Sequence, residues 1–120
     1  MKIIEKPWGQ EEILETNYNY TIKRLTMFAG HRCSLQYHRV KQETIYVLSG
    51  ILFIHYTKKD LIYVEPQDMN IIEINKGESF TIENNKIHRM EAKHKKCVYL
   101  ECSTSQLDDV VRIEDDYNRK

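Results

Sequence analysis

Short apolar runs separated by polar turn sequences extend from Tyr20 to Cys102. This spacing is typical of an all-β domain, because helices would need a 3.6-residue period sustained over longer segments. The pattern predicts strands at residues 20–27, 33–38, 44–48, 51–56, 61–64, 69–74, 79–82, 88–92 and 97–102. Many short strands with little helix favour a sandwich or barrel, and a double-sheet jelly roll is one arrangement that protects the sheet edges.

The 120 residues are enough for one hydrophobic core, so we expect a single domain. Its predicted parts are an N-terminal arm at 1–19, a barrel at 20–102 and a C-terminal tail at 103–120. The alternation stops in the tail, where Leu107, Val110 and Val111 are spaced for one helical face among acidic residues. We therefore predict that the tail is a short helix or an extended, ordered arm.

The charge balance and the cysteines indicate what kind of partner the protein binds and in which compartment it resides. Eighteen basic and eighteen acidic residues cancel, which argues against nucleic acid or an anionic membrane and favours a small molecule or another protein. Three cysteines without CxxC spacing indicate free, buried thiols in a reducing compartment. The first residues include no apolar stretch resembling a signal peptide, so we expect a cytoplasmic protein. Sheet edges of a small barrel are commonly paired in a symmetric homodimer, which we also expect.

Four potential metal ligands fall on predicted strands or at their ends. Gln36 and His38 are two residues apart and share one strand face. Glu43 follows a polar turn and opens the next strand, while His88 begins a later one. This mixed set suits one divalent ion, which could be zinc, manganese, iron or nickel, and does not identify the metal. The competing interpretation is a hydrogen-bonded Gln36–His38 pair in the barrel mouth, with Glu43 and His88 on the surface.

The same residues resemble the two motifs of the cupin family. The first motif is matched by Gly30, Gln36-Tyr37-His38, Glu43 and Gly50, with Gln36 in place of the usual histidine. The second is matched by Gly77, Glu83, Asn85 and His88, where the family usually has proline and glycine at the positions of Glu83 and Asn85.

Nearly the whole chain is similar to the cupin domain of type II mannose-6-phosphate isomerases. The similarity is carried by Lys6-Pro7-Trp8-Gly9, by the segment 34–38 with Lys41 and Glu43, by His88-Arg89 and by the tail segment 108–119. It departs from the family at Lys41, which replaces arginine, at Thr44-Ile45, which replaces a His-Trp pair, and at Asn118, which replaces glycine.

This resemblance implies metal-dependent interconversion of aldose and ketose phosphates, with Lys41 and Arg112 as catalytic residues. Lys41 would hold phosphate or, with a lowered pKa, transfer a proton, and Arg112 would clamp phosphate. Their alternative roles are a solvated turn lysine and an arginine paired with nearby acids. Lys23, Arg32 and Glu101 are secondary candidates for substrate binding. Trp8 is expected to pack against the barrel.

Two other functions fit the same residues. One is a non-catalytic cupin that binds a sugar or sugar nucleotide. The other is a metal cupin of different chemistry, an oxygenase or an epimerase, because one fold hosts many reactions.

Overall fold

The computed structural model of the protein describes residues 2–57, 69–106 and 108–119. These ranges contain twelve strands and no helix. One antiparallel sheet has the order β1 (Lys2–Lys6), β2 (Gly9–Thr16), β3 (Tyr20–Met27), β11 (Cys97–Thr104), β6 (Glu43–Ser49) and β9 (Ser79–Ile82). The other has the order β12 (Val111–Glu114), β5 (Leu35–Tyr37), β10 (His88–Ala92), β7 (Ile51–Thr57) and β8 (Met69–Asn75), with β4 (His31–Arg32) also paired to β10. The predicted all-β jelly roll is confirmed.

The barrel strands lie where the hydrophobic pattern places them. The predictions at 20–27, 79–82 and 88–92 match β3, β9 and β10, and those for β6, β7, β8 and β11 differ by one or two residues at their ends. The predicted strand at 33–38 is shorter, covering Leu35–Tyr37. The predicted strand at 61–64 and Leu107 of the predicted helical face lie outside the described residues.

Both ends of the chain add strands to the sheets. Residues 2–16, treated above as part of an arm, form β1 and β2, which extend the first sheet next to β3. The tail forms β12, which pairs with β5 at Val111–Tyr37 and Arg112–Gln36. Of the two predicted forms of the tail, the extended arm is therefore correct and the helix is wrong, because this backbone satisfies its hydrogen bonds against β5. The predicted homodimer stays a prediction.

The inward positions of the strands change in character from one end of the barrel to the other. We call the apolar end, which includes Met27, Leu52, Ile74, Ala92 and Cys97, the closed end. At the opposite end the inward positions carry Lys23, Glu43, His88 and Glu101, all buried, and we call this the open end. The register fixes this order, because Met27 pairs with Cys97 while Lys23 pairs with Glu101 on the same two strands.

Two asparagines explain two departures from the family pattern. Asn85 and Asn118, which stand where the family has glycine, have φ angles of 64° and 57°. Asparagine is among the few non-glycine residues that enter this left-handed region readily. The backbone conformation that glycine serves is thus retained at both positions.

Gly9 in the Lys6-Pro7-Trp8-Gly9 segment is required by a close approach of backbones. A Cβ atom there would lie 1.8 Å from the Thr26 carbonyl oxygen, closer than any real contact. This approach sets Trp8 against the core, where it is only 5% exposed, and confirms its expected packing role.

The three cysteines are free, as predicted, but only two of them are buried. Burial raises the pKa of Cys33 to about 11 and that of Cys97 to about 12. Cys102 is exposed, because it lies between the inward positions Glu101 and Ser103 and points to the outer face of β11. The described residues also contain no helix long and apolar enough to cross a bilayer.

Candidate metal centre and its cavity

Three of the four predicted metal ligands converge at the open end of the barrel. Glu43 is the first residue of β6, His88 is the first residue of β10, and His38 follows directly after β5. Their exposed fractions are 2% for His38 and Glu43 and 0% for His88. One potential ligand atom from each lies within 4.8 Å of the others. The interpretation that placed Glu43 and His88 on the surface is therefore wrong.

Backbone carbonyl groups fix the orientation of both imidazole rings. His38 Nδ1 lies 2.6 Å from the Asp109 carbonyl oxygen, and His88 Nδ1 lies 2.8 Å from the Lys86 carbonyl oxygen. A carbonyl can only accept a hydrogen bond, so Nδ1 is the protonated nitrogen in each ring. The Nε2 lone pairs are left to face Glu43, as in metal-binding histidines whose other nitrogen donates to a carbonyl.

These orientations leave a group of buried electron-pair donors without a hydrogen-bond donor between them. The Nε2 atoms of His38 and His88 and both carboxylate oxygens of Glu43 are buried and make no hydrogen bond. Glu43 Oε1 lies 3.3 Å from His88 Nε2 and 3.8 Å from His38 Nε2. Ligands about 2 Å from a common ion lie about 3–3.5 Å from one another, so a small divalent cation fits this space with slight closure. The residues therefore fit the ion that the sequence implies.

The electrostatic surroundings of Glu43 favour its ionised, metal-binding form. Burial opposes ionisation, but the neighbouring groups, among them the Lys41 ammonium, outweigh it and hold the pKa of Glu43 well below its usual range. The Lys41 ammonium is 3.4 Å from Glu43 Oε2. A carboxylate is thus available at neutral pH without the loss of a proton.

Gln36, the fourth predicted ligand, lies on the same face as His88. The two residues are direct partners in the antiparallel pair of β5 and β10, so their side chains project together. Gln36 Oε1 accepts a hydrogen bond of 2.7 Å from the Ser34 hydroxyl group, which orients the amide. Its metal-binding role stays a prediction.

A cavity of about 110 Å³ adjoins this cluster. Its lining combines the proposed ligands Gln36 and His38, a set of ionisable side chains and an apolar wall. The ionisable residues are Lys6, Glu11, Lys23, Lys41, Glu101, Arg112 and Arg119, and the wall includes Trp8, Leu25, Cys33, Met90, Tyr99 and Val110.

Alternating charges form a continuous row along the cavity, from β2 to the metal cluster. Lys23 lies 2.8 Å from Glu11 and 3.9 Å from Glu101. Lys41 lies 3.3 Å from Glu101 and 3.4 Å from Glu43. All of these side chains are buried, so each charge depends on its neighbours for compensation.

Two residues in this row, Glu101 and Lys41, have pKa values above their usual ones. Burial raises the pKa of Glu101 to about 7, assisted by the charge of Glu43 and opposed by Lys41 and Lys23. Burial would lower the pKa of Lys41, but the charges of Glu101 and Glu43 prevail and raise it to about 12. Lys41 is therefore a fixed cation, and the lowered pKa that would make it a base is absent.

The remaining predicted substrate-binding residues divide between the cavity and the surface. Lys23, Lys41, Glu101 and Arg112 line the cavity. Arg32 instead forms a bidentate pair with Asp116, at 2.6 and 3.0 Å, and is not among the cavity-lining residues. Lys41 is buried against two carboxylates, so the alternative of a solvated turn lysine is wrong.

Sequence reasoning gave no site role to Lys6, Glu11 and Arg119, which also line the cavity. Lys6 and Arg119 fall within segments that carry the family resemblance, so their position in those segments was the available signal. Glu11 had none, because two adjacent glutamates obscure strand alternation in the segment that forms β2.

A family model described as mannose-6-phosphate isomerase C-terminal matches residues 2–115. The chain belongs to this family. It is a cupin, in agreement with both the motif spacing and the two-sheet fold. The sequence has no significant match among curated proteins.

Solved structures with the same fold are distant in sequence. KdgF from Halomonas sp. is 13% identical, with a TM-score of 0.73 and coverage of 91% of this chain and 90% of that one. CapF, a capsular polysaccharide assembling protein from Staphylococcus aureus, is 16% identical, with a TM-score of 0.78 and coverage of 94% and 34%. An oxalate decarboxylase of Bacillus subtilis with Mn(II) centres is 16% identical, with a TM-score of 0.75 and coverage of 94% and 30%. This cupin thus spans about a third of the length of the latter two proteins and nearly all of the first.

Proposed function

We propose that this cupin is a metal-dependent isomerase that interconverts an aldose phosphate and a ketose phosphate, such as mannose 6-phosphate and fructose 6-phosphate. The observation that carries the proposal is the convergence of His38, Glu43 and His88 beside a cavity lined by both acids and bases. Membership of a family described by an isomerase domain supports this choice of reaction.

His38, Glu43, His88 and Gln36 would hold one divalent ion, with zinc as first choice. Imidazole and carboxylate suit zinc, while the amide oxygen of Gln36 adds a harder ligand that manganese, iron and nickel also accept. When bound, such an ion acts as a Lewis acid towards the oxygens on C1 and C2 of the sugar.

Isomerisation moves a proton between C1 and C2, and Glu101 is our choice for the group that carries it. Glu101 lines the cavity and is separated from the cluster by Lys41, which contacts both Glu101 and Glu43. A carboxylate so placed can take a proton from one carbon and return it to the next. Lys41, paired with both carboxylates, would hold them in position instead of moving a proton itself.

The phosphate group would lie at the mouth of the cavity with Arg112, Lys6 and Arg119. The cavity of about 110 Å³ is small beside the roughly 300–1,000 Å³ of ligand pockets, so we assign the interior to the C1–C2 end of the sugar. Arg112 is brought there by its strand pairing with Gln36. A guanidinium group can bind a phosphate through two parallel hydrogen bonds, which would fix the distance between the phosphate and the reacting carbons.

The deciding experiment follows proton exchange at the reacting carbons. The zinc- or manganese-loaded protein is incubated in D₂O with a panel of hexose and heptose phosphates, and NMR monitors deuterium at C1 and C2. We expect exchange and product formation with at least one substrate, and none after the metal is removed with a chelator. Binding of a sugar phosphate without exchange would contradict the isomerase proposal and support the binding cupin. Consumption of oxygen would instead identify an oxygenase.

A further inference from the structure

The tail segment, residues 108–119, lies against the proposed metal centre as well as the cavity. We propose that docking of this segment and metal binding stabilise each other, and that Asp109 is the positioning residue through which they do so. The inference rests on the proposed metal centre and does not depend on which reaction the centre serves.

The main chain of Asp109 orients one ligand directly. Its carbonyl oxygen accepts the hydrogen bond from His38 Nδ1 at 2.6 Å. This contact joins residues 71 positions apart in the sequence, so it exists only when the tail is docked. Without it, the buried ring would lose the partner that keeps its Nε2 lone pair directed at Glu43.

The side chain of Asp109 organises the turn between the ligands His38 and Glu43. Its carboxylate accepts hydrogen bonds from the backbone N–H groups of Arg39, Val40 and Lys41, at 3.0, 2.7 and 2.8 Å. These three donors, with the Lys41 amide contributing most, lower the pKa of Asp109 to about 2. One residue of the tail therefore fixes both the His38 ring and the turn that leads to Glu43.

The C-terminal part of the tail segment is attached to the barrel by contacts that do not involve the metal ligands. Asp116 pairs with Arg32, and the Tyr117 hydroxyl group donates a hydrogen bond of 3.1 Å to the Arg32 carbonyl oxygen. The tail also contributes Val110, Arg112 and Arg119 to the cavity lining. An undocked tail would thus leave both the metal centre and the cavity incomplete.

Linkage makes the coupling reciprocal. If docking of the tail increases the affinity for the ion by some factor, binding of the ion must favour the docked tail by the same factor. Binding of the ion would therefore favour the docked tail and, with it, the complete cavity.

The test uses Zn²⁺ alone as the probe and measures two quantities. Zinc affinity is determined by competition with a chromophoric chelator for the wild type, Asp109→Ala and the control Asp108→Ala, which alters an adjacent exposed aspartate. Hydrogen exchange across residues 108–119 is measured with and without Zn²⁺. We expect Asp109→Ala to weaken zinc binding by about 10–100-fold, the range found for residues that support metal ligands, and Asp108→Ala to change it less than about twofold. Zinc should slow exchange of the tail by about tenfold or more in the wild type, but much less in Asp109→Ala.

The possible failures are distinguishable. Equal zinc affinity in Asp109→Ala and Asp108→Ala, with tail exchange unaffected by zinc, would overturn the coupling and leave the metal centre intact. A wild-type protein that binds no zinc or manganese would overturn both. If Asp109→Ala proves unfolded by circular dichroism, Asp109→Asn decides, because its single amide oxygen retains part of the acceptor capacity. We then expect a smaller but measurable loss of affinity, and an unchanged affinity would refute the role of Asp109.

Discussion

The two ends of the barrel are built from the same strands but carry different inward side chains. On β3 and β11 the pair Met27–Cys97 lies at the closed end and the pair Lys23–Glu101 at the open end. Both pairs are buried, yet the first removes apolar surface from water while the second confines charges that would be better solvated outside. Strand alternation thus decides which positions point inward, and residue type decides whether a position serves stability or chemistry.

The largest effect should come from removing a ligand at the open end. His88→Ala is expected to abolish stoichiometric metal binding and, with it, all metal-dependent turnover, because the other ligands cannot enclose the ion. The metal-free protein should also lose some stability, because the substitution removes a fully buried ring and its Nδ1 hydrogen bond to the Lys86 carbonyl, a loss partly offset by removal of the Nε2 atom that makes no hydrogen bond. Metal content is measured by atomic emission and stability by urea unfolding in chelator, with the exposed His94→Ala as control. Full metal occupancy in His88→Ala would show that His88 is not a ligand of the ion.

At the closed end a substitution should lower stability while leaving metal binding unchanged. Leu52 is fully buried and lies opposite Ile74, so Leu52→Ala should lower the free energy of unfolding by about 2–5 kcal/mol through lost burial and the cavity left behind. Zinc affinity of the folded variant should remain within a few-fold of the wild type. Urea unfolding measures the first quantity and chelator competition the second. Ile51→Ala, the exposed neighbour on the opposite face of β7, should cost clearly less, and equal costs would contradict the assignment of stability to the closed end.

Glu101 should give the open end a pH dependence of its own. Glu101 has a pKa of about 7 in the folded protein, against an ordinary value of 4.5, so it binds a proton more readily when folded than when unfolded. Its contribution to the stability of the metal-free protein is full below pH 4.5 and is lost as the pH rises through 7. Between these values stability should fall with increasing pH in the wild type, and Glu101→Gln should lack that component. Urea unfolding in chelator across this range, with Glu73→Gln on the exposed face as control, measures it. Identical slopes in wild type and Glu101→Gln would contradict the raised pKa.

The smallest effect is expected at the rim of the open end. Arg112→Ala should leave metal binding intact and raise KM for the sugar phosphate by about tenfold with little change in kcat, if the guanidinium group binds ground state and transition state alike. Steady-state kinetics with the exposed Arg39→Ala as control would measure this change. A fall in kcat with KM unchanged would instead place Arg112 in contact with the transition state, and a loss of metal would make its role structural.

The positions of the barrel strands could be predicted from the sequence, but part of the candidate site could not. The period-2 alternation of β3 and β11 continues through Lys23 and Glu101, so the barrel strands could be located without knowing that these charges are buried. His38, Glu43 and His88 could be predicted because they match the two cupin motifs, each of which is a local pattern in the sequence. The role of Asp109 was not, because it depends on a contact with His38 formed by residues 71 positions apart.

The sequence alone could not decide the conformation of the tail or locate the N-terminal strands, for a related reason. In β12 the apolar residues Val111 and Ile113 alternate with Arg112 and Glu114, but spacing with Val110 also suits one turn of helix. Only the available edge of β5 decides between these conformations. In β2, Glu11 breaks the expected apolar pattern, because its inward side chain is compensated by Lys23 on the neighbouring strand.

The outward orientation of Cys102 gives this chain a single reactive thiol. The thiolate form of cysteine is the one that reacts with maleimides and methanethiosulfonates. Cys33 and Cys97 are buried and have raised pKa values, so they remain in the unreactive thiol form. A nitroxide or fluorophore can therefore be attached at Cys102 of the wild-type protein without mutating the other two cysteines. Cys102 pairs with Thr44 on β6, next to the proposed ligand Glu43, so such a label would lie on the outer face of the sheet that carries this ligand. Replacing zinc with paramagnetic Mn²⁺ would then broaden the electron paramagnetic resonance spectrum of the nitroxide in proportion to occupancy. Metal binding to the centre could thus be titrated in solution.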